Sequence, residues 1–503
     1  MQNNNFFGKY HFKIFFILIL LSLFTRLINL SFVNRVIFDE VHYGKYITGY
    51  LKHEYFFDDH PPLAKLFMAG LAKLSGLNPK TSFEYIGLIY PQGTPIFALR
   101  FIPALFGSLL IPLIFLFTEK ITQSIRTGLI ASILLLFDNA FLAHSRFISP
   151  DTFLIFFIIF TIYSYLKSER GKNKFWLLLS GISAGFSLST KWIGLIGQGL
   201  VFFSILFYEH FELIKSPKKI IEYLFTFVLL PFFIYYFAFA IHFRILHHSA
   251  GFKEFIGLNF SMLYSHSRHL THHYSSKWFT WPLMIRPVSY LHSSLGNNQV
   301  QNITFLGNPF VWWLSTLGLI TFILLITFKK ILSTKFKNIP PLPGKGTVLL
   351  GYLIAYLPFI SISRCMFLYH YLTALIFAII ATAILLDKFL LPPEKEIPSP
   401  SPSIITLIAG LPLIILISRA VYLWYIPKEF LFLIGSFFIL LGSLFSLYLY
   451  FITKRNIYKI PNLWLIALFF TLIGCFLIFS PLSYGIPIKQ KTFDFYMWIK
   501  SWI

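Results

Sequence analysis

Long apolar runs recur along the chain, each broken by a few basic or polar residues. A helix needs about 20 apolar residues to cross a bilayer. On that rule candidate spans fall at 13–33, 96–118, 126–143, 151–167, 175–190, 192–208, 221–242, 310–329, 345–362, 367–390, 403–426, 430–452 and 462–480. The pattern predicts an all-α polytopic membrane protein with 11 to 13 transmembrane helices. Two longer intervals, 34–95 and 243–309, interrupt the spans. The first holds amphipathic patches at Tyr43–Tyr50 and, after Pro61-Pro62, at Leu63–Leu74, which are predicted to lie along the membrane surface. The second is rich in His, Ser and aromatic residues. Pro392–Pro402 (PPEKEIPSPSP) reads as a low-complexity linker. The expected division is a catalytic transmembrane module at 1–390, a cytoplasmic linker at 391–402 and further helices with an outer tail at 403–503.

Composition supports this class. The chain is 56% hydrophobic and 12% charged, with 62 Phe, too few charges to cover a soluble surface. A formal charge of +23 would suggest nucleic acid in a soluble protein, but here the positive-inside rule accounts for it and no nucleic-acid partner is expected. With the N-terminus inside, the basic residues of alternate loops all land cytoplasmic: Lys120 and Arg126, then Lys167, Arg170, Lys172 and Lys174, then Lys215, Lys218 and Lys219. The two long intervals then face outward. The N-terminus resembles a signal peptide, but it lacks a small-residue cleavage site and Arg26 interrupts it, so an uncleaved first helix is expected. Cys365 and Cys475 imply no disulfide framework or cysteine-based metal site.

Candidate chemistry concentrates in Phe38–Lys65 (FDEVHYGKYITGYLKHEYFFDDHPPLAK). Of 19 carboxylates in the chain, five lie here: Asp39, Glu40, Glu54, Asp58 and Asp59, beside His42 and His60. A carboxylate at a membrane boundary can take a proton from an attacking hydroxyl, especially if burial raises its pKa. A solvated loop pair is the plainer reading. Four cations stand on the side that the charge rule disfavours: Arg100, Arg146, Lys191 and Arg364. Each needs an anion, either a protein carboxylate such as Asp138 or Asp151, or a phosphate, which Arg grips bidentately and Lys meets as a point charge. The outer His cluster with Asp58, Asp59 and His60 matches no standard metal spacing, and no metal is expected.

These residues resemble the protein O-mannosyltransferase family. Its Asp-Glu pair and following YFFD-x-HPPL-type segment are matched by Asp39-Glu40 and Tyr55–Leu63. Similar stretches follow at Phe137–Asp151 (FDNAFLAHSRFISPD), Ser189–Leu195 (STKWIGL), Ser276–Val288 (SKWFTWPLMIRPV) and Arg364–Leu372 (RCMFLYHYL). The resemblance covers roughly residues 35–390, and beyond them only hydropathy matches. It implies a GT-C glycosyltransferase fold, a polyprenyl-phosphate donor carrying mannose or a related hexose, and inverting transfer to Ser or Thr hydroxyls of exported proteins. No metal or cofactor is required. Asp39 would be the base and Glu40 an acceptor-orienting group. Lys191, Arg146, Arg364 and Arg100 would bind the donor phosphate. His42, Asp58, Asp59, His60, Asp151 and Trp192 would support the acceptor or the loops. The interval 243–309 is too short for the β-trefoil insert of eukaryotic members, and HPPLAK stands where HPPLGK is usual. The missing insert points to a bacterial-type member in the inner membrane, its site on the outer face, with an association with the secretion machinery expected. The rival readings are a GT-C transferase acting on a lipid such as lipid A, and, in another class, a lipid or solute transporter lined by the same charges. No inverted repeat of the kind transporters use is visible.

Overall fold

The computed structural model describes residues 6–209, 211, 214–247, 251–267, 272–328, 340–362, 364–390 and 461–502. In order, its main helices are α1 (Phe6–Leu27), α2 (Glu40–Lys52), α3 (Leu63–Leu74), α4 (Ile96–Thr122), α5 (Ile125–Leu136), α6 (Asn139–His144), α7 (Asp151–Lys167), α8 (Lys174–Leu188), α9 (Leu195–Tyr208), α10 (Pro217–Leu224), α11 (Leu230–Ile245), α12 (Phe252–His266), α13 (Pro309–Thr327), α14 (Lys345–Tyr356), α15 (Leu372–Leu385), α16 (Pro461–Tyr484) and α17 (Gln490–Tyr496). Among the described residues, five helical stretches are long and apolar enough to cross a membrane, and shorter apolar helices accompany them. The expected spans at 403–426 and 430–452, and the linker at 391–402, lie outside the described residues.

Several expected spans are divided for identifiable reasons. The run 126–143 breaks at Asp138, a buried residue that caps α6 by accepting from the Phe141 N–H at 2.9 Å. Its second oxygen accepts from the Asn308 N–H at 3.0 Å and the Trp312 indole at 2.9 Å. The run 221–242 carries a π-helical turn at Phe225–Leu229, ahead of Pro231, which cannot donate to the ladder. The amphipathic patches of the first interval form α2 and α3, as their apolar spacing predicts.

The fold is mostly helical, with one addition that the span pattern could not show. In the second interval β1 (Val288–Gly296) and β2 (Gln299–Phe305) pair antiparallel, and β3 (Ile488–Lys489) adds to β2. The two-residue connection is Asn297-Asn298, both at positive φ (48° and 58°), which gives the twist that a tight hairpin needs. Helix α7 packs between α4 and α8, α1 and α5 pack on α4, and α13 pairs with α15. Asn302 faces inward from β2 and is 1% exposed. The interval 34–95 is cinched by a bridge between Arg35 and Ile89. Its start, the N-terminus of α7, the α8–α9 turn and the second interval therefore meet at one end of the bundle.

Candidate active site

Asp39 and Glu40 are sequence neighbours in opposite circumstances. Phe38 adopts φ +40°, a left-handed conformation that costs a non-glycine residue about 1–3 kcal/mol. Two contacts hold it: its N–H donates to the Tyr290 carbonyl at 3.0 Å, and its ring stacks on Tyr290 with centroids 4.4 Å apart. This turn sends Asp39 and Glu40 to different places. Glu40, the first residue of α2, is 0% exposed and its carboxylate is saturated. It accepts from the Ile37 and Ile148 N–H groups (2.9 and 3.1 Å), the Tyr90 hydroxyl (2.9 Å) and the Arg100 guanidinium (2.7 and 3.0 Å). Asp39 takes the N-cap position of α2 without a capping hydrogen bond. Among the described residues, no group donates to its carboxylate.

The expected role of Glu40 as an acceptor-orienting group does not suit this geometry, because no lone pair remains for a substrate. Arg100 is likewise spent. Beyond its contacts with Glu40 it donates to the carbonyls of Leu30, Val33 and Arg35, which uses all its N–H groups. Arg146 donates to the carbonyls of Thr25, Arg26 and Asn29 at the end of α1, and its guanidinium lies over the Tyr484 ring at 4.5 Å. It closes a helix C-terminus, where orphan carbonyls favour a cation. Both guanidiniums are thus engaged with the scaffold, and both line a cavity with Asn29, Val33, Ile37 and Tyr484.

The remaining candidates gather around Asp39. Asp151, at the start of α7, accepts from Lys191 Nζ at 2.7 Å and the Ser149 hydroxyl at 2.8 Å, and His144 Nε2 stands 3.2 Å away. Lys191 comes from the α8–α9 turn and keeps further N–H groups beyond this pair. Asp58 is bound by Lys65, whose Nζ also donates to the His60 carbonyl at 2.7 Å. Asp59 faces His266 of α12 at 3.3 Å, Arg364 at 3.7 Å and His60 at 3.8 Å. Arg364 Nη1 in turn donates to His266 Nδ1 at 2.8 Å. Trp192 packs edge-on against His266 and donates to the Tyr235 hydroxyl at 2.9 Å. His42 points outward from α2 and is exposed.

Burial pushes the Asp39 carboxyl up to about 7; Lys191 opposes the rise, and Asp151, Asp58 and Asp59 add to it. Burial also raises Asp58, against the pull of Lys65, and lowers the Lys65 ammonium, against the pull of Asp58. Sequence reasoning gave no role to Lys65, His144 and Tyr290, and placed His266 only within the outer His cluster. Lys65 carried a signal, since a Lys in the first outer interval breaks the same charge rule as Lys191. The others are joined to the site only by the fold: the Tyr290 hydroxyl meets His144 Nδ1 at 2.6 Å across 146 residues.

Two sequence models of one family match this chain. That of dolichyl-phosphate-mannose-protein mannosyltransferase matches residues 16–247, and that of the C-terminal four-helix membrane region of protein O-mannosyltransferases matches 251–433. The chain belongs to the protein O-mannosyltransferase family. Among curated relatives, dolichyl-phosphate-mannose–protein mannosyltransferase 4 of Candida albicans is 35% identical over 48% of this chain and 34% of its own length. Protein O-mannosyl-transferase 1 of Danio rerio is 33% identical over 46% and 34%. The matches thus span about a third of the length of these relatives. The Saccharomyces cerevisiae protein O-mannosyltransferase Pmt1–Pmt2 complex, solved bound to the sugar donor, covers 98% of this chain with 93% of its own at a TM-score of 0.74 and 19% identity. That likeness establishes the GT-C fold for this family member as a multi-pass membrane protein, and the site described above sits within residues matched by the two family models.

Proposed function

We propose that this chain is an inverting glycosyltransferase that moves mannose from a polyprenyl-phosphate donor to Ser or Thr hydroxyls of exported proteins. The acceptor oxygen attacks the anomeric carbon while Asp39 takes the hydroxyl proton. The bond from that carbon to the phosphate oxygen breaks, and the lipid phosphate leaves with the electron pair. Lys191 and Arg364, half-buried and only partly engaged, meet the developing charge. The transfer itself is metal-independent in this reading, because fixed cations serve the leaving group. Asp58, Asp59, Asp151 and Trp192 hold those cations and the loops around them.

The observation that carries the reading is the free carboxylate of Asp39. Among the described residues of the site, the other carboxylates have cationic partners: Glu40 with Arg100, Asp58 with Lys65, Asp151 with Lys191, and Asp59 with Arg364. A general base must be unengaged and poised near the working pH, and Asp39 meets both conditions. The basic-residue alternation supports a site on the outer face of a bacterial inner membrane, where substrates pass the secretion machinery. Purified protein should transfer labelled mannose from polyprenyl-phosphate mannose to a Ser/Thr-rich peptide, and Asp39→Asn should abolish this. Transfer to a lipid acceptor with none to peptides would refute the protein acceptor.

A further inference from the structure

Asp59 is the carboxylate of this cluster whose contacts are all long. A charge-assisted hydrogen bond is ordinarily about 2.7–2.9 Å. Its neighbours stand at 3.3 Å (His266 Nδ1), 3.7 Å (Arg364 Nη1) and 3.8 Å (His60 Nε2). Those spacings suit a different partner. Two ligand bonds of about 2.0–2.1 Å at a tetrahedral angle hold their donor atoms about 3.3 Å apart. The separation between Asp59 and His266 already has that value, and the donor atoms of Asp59, His60 and His266 all lie within 4.8 Å of one another. The buried Nδ1 of His60 has no hydrogen-bond partner among the described residues, so this imidazole is uncommitted beside Asp59 and His266.

We propose that Asp59, His60 and His266 form a binding site for a late first-row divalent cation, Zn²⁺ in the first instance, that ties the first long interval to α12 in the second. Two imidazoles and one carboxylate favour such an ion over Mg²⁺ or Ca²⁺, which prefer oxygen donors throughout. The local charges permit it. Asp58 is matched by Lys65 and Asp151 by Lys191, so the cation facing Asp59 is Arg364, at 3.7 Å. Arg364 is the competitor, because its Nη1 donates to the same His266 Nδ1 that a metal would use. Arg364 retains 28% of its side-chain exposure, enough to swing aside. Metal binding and the Arg364–His266 contact therefore exclude each other. The metal is a clasp between intervals rather than a participant in sugar transfer, although it shares Asp59 and the neighbouring Arg364 with the proposed transferase site. No spacing along the chain could reveal it, since His266 lies over 200 residues from His60.

The test uses untagged, full-length protein in detergent, stripped with a chelator, given Zn²⁺, cleared of excess and assayed for bound metal by mass spectrometry. One equivalent per chain is expected, with a rise in melting temperature, and Co²⁺ substitution should give the intense visible bands of a tetrahedral site. His266→Ala and Asp59→Asn should each lose the equivalent and the thermal shift, while His272→Ala and His273→Ala keep both. Arg364→Ala separates the explanations. A metal site loses its competitor and binds Zn²⁺ several-fold more tightly, whereas a simple ion-pair clasp gains nothing. Parent protein that retains no more Zn²⁺ than His266→Ala, or an Arg364→Ala variant with unchanged or weaker binding, would overturn the proposal. If His266→Ala does not fold, the Arg364→Ala comparison still decides.

Discussion

Replacing Asp39 with Asn should disable the protein and stabilise it at the same time. The substitution keeps the shape of the side chain and its N-cap position and removes the charge. Burial holds the carboxyl at about 7, against 3.8 for an unperturbed one, and each unit is worth 1.36 kcal/mol. The folded state therefore binds the proton more tightly than the unfolded state. Stability from this group is fully present below about pH 4, falls as pH rises toward 7 and stays lost above it. Keeping Asp39 ionised in the fold costs at most about 4 kcal/mol on this basis. Asp39→Asn should recover up to that amount at pH 8 and almost none near pH 4. Turnover should fall roughly 10²-fold or more, as for the loss of a general base. In the parent, turnover at saturating donor should rise with pH through about 7 as the carboxylate forms. The groups whose fields set that midpoint are Lys191, Asp151, Asp58 and Asp59, with Tyr290 and Tyr369 close by. Denaturant midpoints of parent and variant between about pH 5 and 8.5 in one detergent, alongside mannose transfer, make the measurement. A variant less stable than the parent at pH 8, or a stability gap that ignores pH, would refute the argument.

Three further outcomes can be measured. Lys191→Ala and Arg364→Ala should each weaken donor-lipid binding roughly tenfold or more, since a hydrogen bond to a charged group is worth about 1.5–3 kcal/mol; unchanged affinity in donor titrations of both would leave them as partners of Asp151 and Asp59 only. Arg100→Ala should strand Glu40 in the core and cost about 3–5 kcal/mol of stability, with donor affinity in the surviving folded fraction unchanged; denaturant midpoints together with donor titration check both halves. Cysteines placed at 58 and at 170 should label from opposite sides of the membrane, and labelling from the same side would break the proposed topology.

Much of the architecture was legible because membrane insertion writes itself into sequence one span at a time. Apolar length located α4, α7, α8 and α13, and apolar spacing located α2 and α3. What hydropathy missed lay where a single residue overrides the average. Asp138 is one charge in an apolar run, yet it ends α5 and caps α6. The hairpin carried its own signal in Asn297-Asn298, hidden inside a stretch valued only for its His and aromatic content. The first half of the site was legible from the density of acids in one interval. Of the second half, His266 stood out only as one of many outer His, and His144 and Tyr290 were not legible, because packing alone brings them to the site.

The outer cations show how structure refines a sound sequence argument. Arg100, Arg146, Lys191 and Arg364 stand where the charge rule disfavours them, and each must have an anion or dipole to meet. Sequence alone could not choose between a protein partner and a phosphate. The fold separates them by the number of N–H groups left over. Arg100 has none, whereas Arg146, held by three carbonyls and the Tyr484 ring, keeps its Nε–H and one Nη2–H. Lys191 and Arg364 are each tied to one carboxylate and keep donors in reserve, and Lys191 lies close enough to act on the free Asp39. A cation whose valence is filled inside the protein has no reason to let go for a lipid phosphate. One that is half-filled at a polar cleft gains from the phosphate and loses little. The same accounting separates Asp39 from Glu40, and it sets Arg100, whose N–H groups are all taken, apart from the other three cations.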